Sequence, residues 1–433
     1  MRGMRFESLC LHAGHQPDPI TLSRGVPVHR TSSYVFKSAE HAQNLFALKE
    51  LGNIYTRLMN PTHDVLEQRV AALEGGAAAV AVASGTSACH YAVINCCSAG
   101  DDIVSANDLY GGTYTMFDAI HPQLGIGTQW VDARDPENVR RAIGPRTRAV
   151  FVESASNPAL HVPDLQAIAD IAHANGLPLI VDNTFCTPYL CRPIEHGADV
   201  VVHSLTKWIG GHGVAIGGIL VDSGRFPWGT PRHPLFDEPD RSYHGLRFGH
   251  DLGPLAPICF AMRARVVPLR NLGACISPDN AWMFLQGLET LPLRMERHCQ
   301  NAADVAGFLR QHPRVAWVRY PGLSDDPAHP IATRQMATPD GRNLYGSMVV
   351  FGIHGGRDAG RRFIEQLRLF SHLANVGDAK SLAIHPASTT HSQLSDAGLA
   401  GAGISPELVR LSIGIEHIDD IVADLDHALQ AAG

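Results

Sequence analysis

Lysine is scarce in this chain: of 35 basic residues only four are lysines, at positions 37, 49, 207 and 380. Arginine stays protonated and cannot act as an amine nucleophile, whereas a desolvated lysine can. Each lysine is therefore a candidate for chemistry, against the plain alternative of a leftover surface charge. A basic block is missing too. The 42 acidic and 35 basic residues are scattered, with a formal charge of −7, which leaves a nucleic acid no electrostatic footprint to meet. No segment reaches the ~18 apolar residues a bilayer crossing requires, and Met1 to Ser8 lacks the apolar core of a signal peptide. No membrane partner and a cytoplasmic location are expected. The nine cysteines show neither the paired Cys-x-x-Cys of zinc sites nor the density of a disulfide scaffold. No metal is expected, and the thiols read as reduced and mostly buried.

What is present is an alternation of short apolar runs and helical stretches. From about residue 77 to 221 the runs AAAVAVAS, DIVSAN, TQWVD, RAVFVES, PLIVDN, DVVVHS and GGILVD predict a largely parallel sheet covered by helices on both faces. Thr62 to Leu73, between Asn60-Pro61 and Gly75-Gly76, reads as an amphipathic helix with recognisable ends. Residues 1–60 show no such alternation and read as an irregular arm with one short helix near Ser38 to Leu51. An arm that cannot bury its own apolar surface lies on another subunit. Residues 61–264 form the main domain, ending in a long Gly/Pro-rich loop from Phe226 to Gly253. Residues 265–433 read as a smaller α+β domain: a helical region from Asp279 to Gln311, strands near VAWVRY, SMVVFGI, FSHLAN and VRLSIGIE in an antiparallel sheet, and helices near 358–368 and 418–431.

Several residues stand where chemistry belongs. Lys207 follows a buried strand in VVHSLTKWIGGHG, where Ser204 and Thr206 can bind a phosphate while the lysine reaches an attached aldehyde; alternatively it points to solvent while the hydroxyls cap a turn. Ser84-Gly85-Thr86-Ser87 joins a strand to a helix, so the amides of Gly85 and Thr86 offer a second phosphate cradle, or only an ordinary turn. Asp182 closes an apolar run at a strand's carboxyl end, where open α/β sheets bind ligands. It can hold a pyridine nitrogen protonated or cap a helix. Tyr110, in LYGGT, can stack on a flat ring or sit exposed in a loop. Tyr55 and Arg57 lie in the arm, suited to a phosphate on a neighbouring subunit or to a salt bridge there. Arg410 puts a charge inside the apolar strand VRLSIGIE and needs an anion, from the protein or from a substrate.

Taken together, YTRLMNPT (55–62), LYGGT (109–113), VDNTF (181–185), HSLTKWIGGHG (203–213), NVGDAKSLAIHPASTTH (375–391) and VRLSIGIE (409–416) resemble the Cys/Met-metabolism family of pyridoxal-phosphate (PLP) enzymes. The likeness covers essentially the whole chain. Within the family, the arm 32–62, the loop PDRSYHG, the stretch 369–391 and the segment ELVRLSIGIEHIDDI are most similar to the O-acetylhomoserine sulfhydrylase branch. The resemblance implies the PLP-dependent transferase fold type I, with a mostly parallel seven-stranded sheet domain and a smaller α+β C-terminal domain. It implies PLP as cofactor, Lys207 as the Schiff-base lysine, Asp182 as partner of the ring nitrogen and Tyr110 as the stacking residue. Gly85, Thr86, Ser204 and Thr206 would hold the phosphate, joined by Tyr55 and Arg57 from a neighbouring subunit; Asn157 would lie near the ring hydroxyl, and Arg410 and Asn375 would take the substrate carboxylate. Tyr55 and Tyr110 would also assist the leaving group. The implied reaction, in methionine biosynthesis, is γ-replacement on O-acetyl-L-homoserine by sulfide or a thiol, giving homocysteine or methionine and acetate, in a homo-oligomer of dimers with shared sites paired into a tetramer. The alternatives are a γ-lyase, an O-succinylhomoserine-using synthase and a catalytically silent PLP-binding protein. Ser84-Gly-Thr-Ser87 departs from the Ser-Gly-Gln-Ala of the sulfhydrylases, and Gly112 stands where methionine γ-lyases carry cysteine.

Overall fold

Seven strands occupy the seven apolar runs, in a computed structural model that describes residues 3–389 and 405–432. They are β1 (Ala78–Val82), β2 (Asp102–Ala106), β3 (Gly127–Val131), β4 (Thr147–Glu153), β5 (Leu179–Asp182), β6 (Val200–Ser204) and β7 (Gly218–Asp222). Their order across the sheet is β1-β7-β6-β5-β4-β2-β3. All neighbours pair in parallel except those of β7, which runs antiparallel to both β1 and β6. The central strands are rich in Val and Ile because both faces are covered: every residue of β2 and β7 is buried, and β4, β5 and β6 nearly so.

A second sheet has the order β10-β11-β12-β9-β8. Its strands are β8 (Val315–Arg319), β9 (Met348–Ile353), β10 (Ser371–His372), β11 (Leu382–Ile384) and β12 (Leu408–Ser412). The expectation of an antiparallel sheet needs correction at one edge, where β10 pairs with β11 in parallel. FSHLAN supplies only the two residues of β10, and β11 was not foreseen. The end of its motif, Thr390 and His391, lies outside the described residues.

The helical region expected from Asp279 to Gln311 is two helices, Pro278–Glu289 and Leu291–Gln311, broken at Thr290. Pro292 lacks an N–H to continue a helix, but suits the first turn of a new one. The second helix joins the two cores. Its Leu291, Met295 and Cys299 pack into the cluster around the large sheet, and its Ala302, Val305, Ala306 and Leu309 into the cluster around the small one. The helix Pro61–Glu74 starts and stops as its caps dictate, on Asn60 and on Gly75 with φ 76°. It is not amphipathic in place, since Phe6–His12, Pro278–Glu289 and the sheet all pack on it and bury even Glu67, Arg69 and Glu74. The helix Phe6–His12, absent from the expected arm, seats Phe6 and Cys10 in the core. The expected helix near Ser38 is Ala39–Phe46, capped by the Ser38 side chain. The loop 226–253 carries only short turns, Pro234–Asp237 and Arg241–Tyr243.

Candidate active site

The carboxyl ends of β4, β5 and β6 face the small sheet across a cavity of about 240 Å³. Its wall includes ten of the twelve residues singled out in the sequence: Gly85, Thr86, Tyr110, Asn157, Asp182, Ser204, Thr206, Lys207, Asn375 and Arg410. Tyr55 and Arg57 do not reach the cavity of their own chain. The Arg57 guanidinium lies 5.1 Å from the centre of the Tyr55 ring, which is 41% exposed.

One end of the cavity is built to meet an anion. Ser84 caps the helix Gly85–Ile94 by accepting the Ser87 N–H at 3.0 Å. This leaves the Gly85 and Thr86 amides at the helix start without an intrahelical acceptor. Glycine is required at 85, because a Cβ there would lie 2.6 Å from Ser204 Cβ. That close approach puts the helix start against the end of β6. The Thr206 hydroxyl exchanges hydrogen bonds with the Gly217 backbone at 3.2 and 3.3 Å. Among the described residues Ser204 Oγ has no hydrogen-bond partner.

Lys207 sits in the turn that follows. Its Nζ donates to Asn375 Oδ1. Burial, with the Arg410 charge added, lowers its pKa to about 8. The turn is clamped from later in the chain: Arg294 Nη1 donates to the Trp208 carbonyl at 2.7 Å, and Trp208 Nε1 donates to Ser347 Oγ at 2.8 Å. Arg410 reaches in from β12 and donates to Asn157 Oδ1 at 2.7 Å. Burial lowers its pKa to about 10, and among the described residues it has no carboxylate partner. A guanidinium so placed favours an anionic ligand.

Asp182 is the half-buried acid of the opposite wall. Its Oδ1 accepts the Thr184 N–H at 3.0 Å and hydroxyl at 2.5 Å, and its Oδ2 accepts the Cys89 thiol at 3.6 Å. Burial raises its pKa and the Thr184 bonds oppose the rise. The helix-cap alternative does not hold, since the next helix, Thr187–Leu190, begins after Cys186 and not after Asp182. Glu153 was missed, although it ends the run RAVFVE as Asp182 ends PLIVD. It accepts the Tyr110 N–H at 2.7 Å. Cys89, Thr113, Thr184, Phe185 and Ile216 also line the cavity, and nothing in the local sequence marks them apart from neighbouring core positions.

The sequence profile of the Cys/Met metabolism PLP-dependent enzymes matches residues 7–430. The chain belongs to that family. Among curated relatives, the O-acetyl-L-homoserine sulfhydrylase of Leptospira meyeri is 54% identical, over 99% of this chain and 97% of its own. O-acetyl-L-homoserine sulfhydrylase 1 of Thermus thermophilus is 53% identical, over 98% and 100%. A crystal structure of a putative O-acetylhomoserine (thiol)-lyase from Campylobacter jejuni superposes with a TM-score of 0.93 at 42% identity, covering 99% of this chain and all of that one, and carries a pyridoxyl-lysine monophosphate. This member of the family is therefore a PLP-dependent enzyme with small-molecule substrates, and its mixed α/β fold is that of its relatives. The cavity suits the cofactor on its own terms: it offers two amides and a hydroxyl, unbonded among the described residues, for a phosphate, a half-buried amine for an aldehyde, and a half-buried carboxyl for a ring nitrogen.

Proposed function

We propose that the enzyme performs γ-replacement on O-acetyl-L-homoserine, with sulfide or a thiol as nucleophile, giving homocysteine or methionine and acetate. The observation that carries this reading is the meeting of Lys207 and Arg410 in one cavity, an amine whose pKa is lowered to about 8 beside a guanidinium with no carboxylate partner among the described residues. The names of relatives at about half identity over the full chain support the choice of substrate.

In this reading Gly85, Thr86, Ser204 and Thr206 hold the cofactor phosphate, and Asp182 keeps the ring nitrogen protonated. When bound, PLP supplies an electron sink for the charge left by loss of the substrate α-proton. Arg410 binds the substrate α-carboxylate, with Asn375 beside it, and so fixes which bond at the α-carbon faces Lys207. Lys207, whose charged form is disfavoured by burial, takes the α-proton and returns it. Tyr110 stacks and, with Tyr55, assists the leaving acetate. Asn157 orients Arg410 through the 2.7 Å bond and lies toward the ring hydroxyl.

Tyr55 and Arg57 serve the cavity of a second copy. The exposed apolar arm supports this, with Ile20 89%, Leu22 78% and Val35 96% accessible in one chain. We read the assembly as a dimer with shared sites, paired into a tetramer; a holo-protein sedimenting as a monomer at micromolar concentration contradicts it. The location is read as cytoplasmic, in keeping with nine free thiols, and recovery in a membrane or secreted fraction contradicts that. The test of the reaction is an assay of homocysteine and 2-oxobutyrate from O-acetyl-L-homoserine with and without sulfide. Homocysteine formed only with sulfide is expected, and 2-oxobutyrate as main product moves the enzyme to the γ-lyases. O-Succinyl-L-homoserine turning over faster than the acetyl ester moves it to the synthases.

A further inference from the structure

The mechanism leaves one buried acid of the cavity unused. Glu153 ends β4 as the register partner of Asp182 at the end of β5, and both side chains line the cavity. Parallel neighbours point to the same face, so two carboxyl groups lie side by side, Glu153 buried and Asp182 half-buried. Among the described residues neither forms an ion pair. Two like charges in such a place cannot both persist without a cation.

The two acids are served differently. Asp182 receives a backbone N–H, a hydroxyl and a thiol. Glu153 accepts the Tyr110 backbone N–H at 2.7 Å and faces the Asn157 backbone amide. Those amides belong to the two loops that carry the stacking ring and the partner of Arg410. We propose that Glu153 is a positioning residue: an uncharged acceptor that ties the Tyr110 and Asn157 loops to the end of β4 and leaves Asp182 as the anion of the cavity.

The surroundings agree on every side. Asp182 faces Glu153 from β5, and Asp108 from the loop after β2, itself paired with His161 at 2.9 Å. Cys89 faces it from the helix Gly85–Ile94, and Arg410 is held off by Asn157. Burial first, then the Asp182 charge, pushes the Glu153 carboxyl far above its ordinary value. The Cys89 thiol is raised by the same two causes, so it stays a donor.

The inference rests on the reading that this cavity holds PLP, and its test uses neither amino-acid substrate nor thiol. Glu153→Gln and Glu153→Leu are compared with the unaltered protein for PLP affinity and for the pH midpoint of the bound cofactor's absorbance. Glu153→Gln keeps an acceptor and the volume, so its affinity stays within about three-fold and its midpoint is unmoved, whereas Glu153→Leu leaves the Tyr110 N–H without its acceptor and loses about ten-fold or more. Glu153→Gln binding as weakly as Glu153→Leu, or shifting the midpoint, overturns the proposal by showing that the charge is needed. Unaltered protein that binds no PLP overturns the reading of the cavity instead.

Discussion

Lys207→Ala is expected to abolish turnover of O-acetyl-L-homoserine, with loss of the base alone costing about 10²- to 10⁴-fold and loss of the cofactor's covalent anchor adding to it. Two features set the size of the effect. No other lysine lines the cavity, the remaining three being at 37, 49 and 380, so no second amine can stand in. The Asn375 carbonyl that accepts from Lys207 Nζ also loses its donor, which leaves the approach to Arg410 less ordered. Folding is spared, because a buried amine is costly to desolvate and contributes no packing that alanine wholly removes. With its pKa lowered to about 8, the amine is neutral in a growing fraction as pH rises toward that value. Uptake of PLP by the unloaded protein should therefore accelerate with pH and level off above about 8. Residual turnover in Lys207→Ala within about ten-fold of the unaltered enzyme contradicts the assignment of the base.

Arg410→Leu is expected to separate activity from stability. Removing one partner of a buried, hydrogen-bonded charge pair costs about 2–5 kcal/mol, so kcat/KM falls by roughly 30-fold to several thousand-fold. The loss appears in KM, because a substrate carboxylate loses its counter-charge, and in kcat, because the substrate is no longer held at one angle. Stability moves the other way or not at all. Without substrate the guanidinium is buried with only Asn157 as its partner among the described residues, and leucine removes that desolvation cost. A Michaelis constant unchanged in Arg410→Leu contradicts the carboxylate role, and a large drop in melting temperature points to a structural one.

The catalytic wall was legible where a polar residue ended an apolar run. Asp182, Ser204 and Lys207 announce themselves because a buried parallel strand must stop where its ligand begins. Glu153 carries the same mark, but it stands at the head of the polar stretch ESASNP, where nothing local sets it apart from an ordinary strand end. The meeting of Lys207 with Asn375 was beyond the residues themselves: the partners are 168 positions apart and come together only when the small sheet docks on the large one. The resemblance, not the pattern, assigned Asn375. The seven strands of the large sheet were readable because each is an apolar run of four to seven residues bounded by polar or turn residues, whereas β10 and β11, of two and three residues, are too short to impose any period. The arm's helix Phe6–His12 was hidden for another reason, as its short length gives little periodicity and its burial comes from Pro61–Glu74.

The central claim is that Lys207 holds the cofactor in this cavity. Holo-protein reduced with borohydride, digested and mapped by mass spectrometry tests it most directly, since reduction fixes PLP on whichever lysine carries it. The account predicts a pyridoxyl group on the peptide containing Lys207 and on none containing Lys37, Lys49 or Lys380. A label on any of those three, or none at all in protein saturated with PLP, would contradict it.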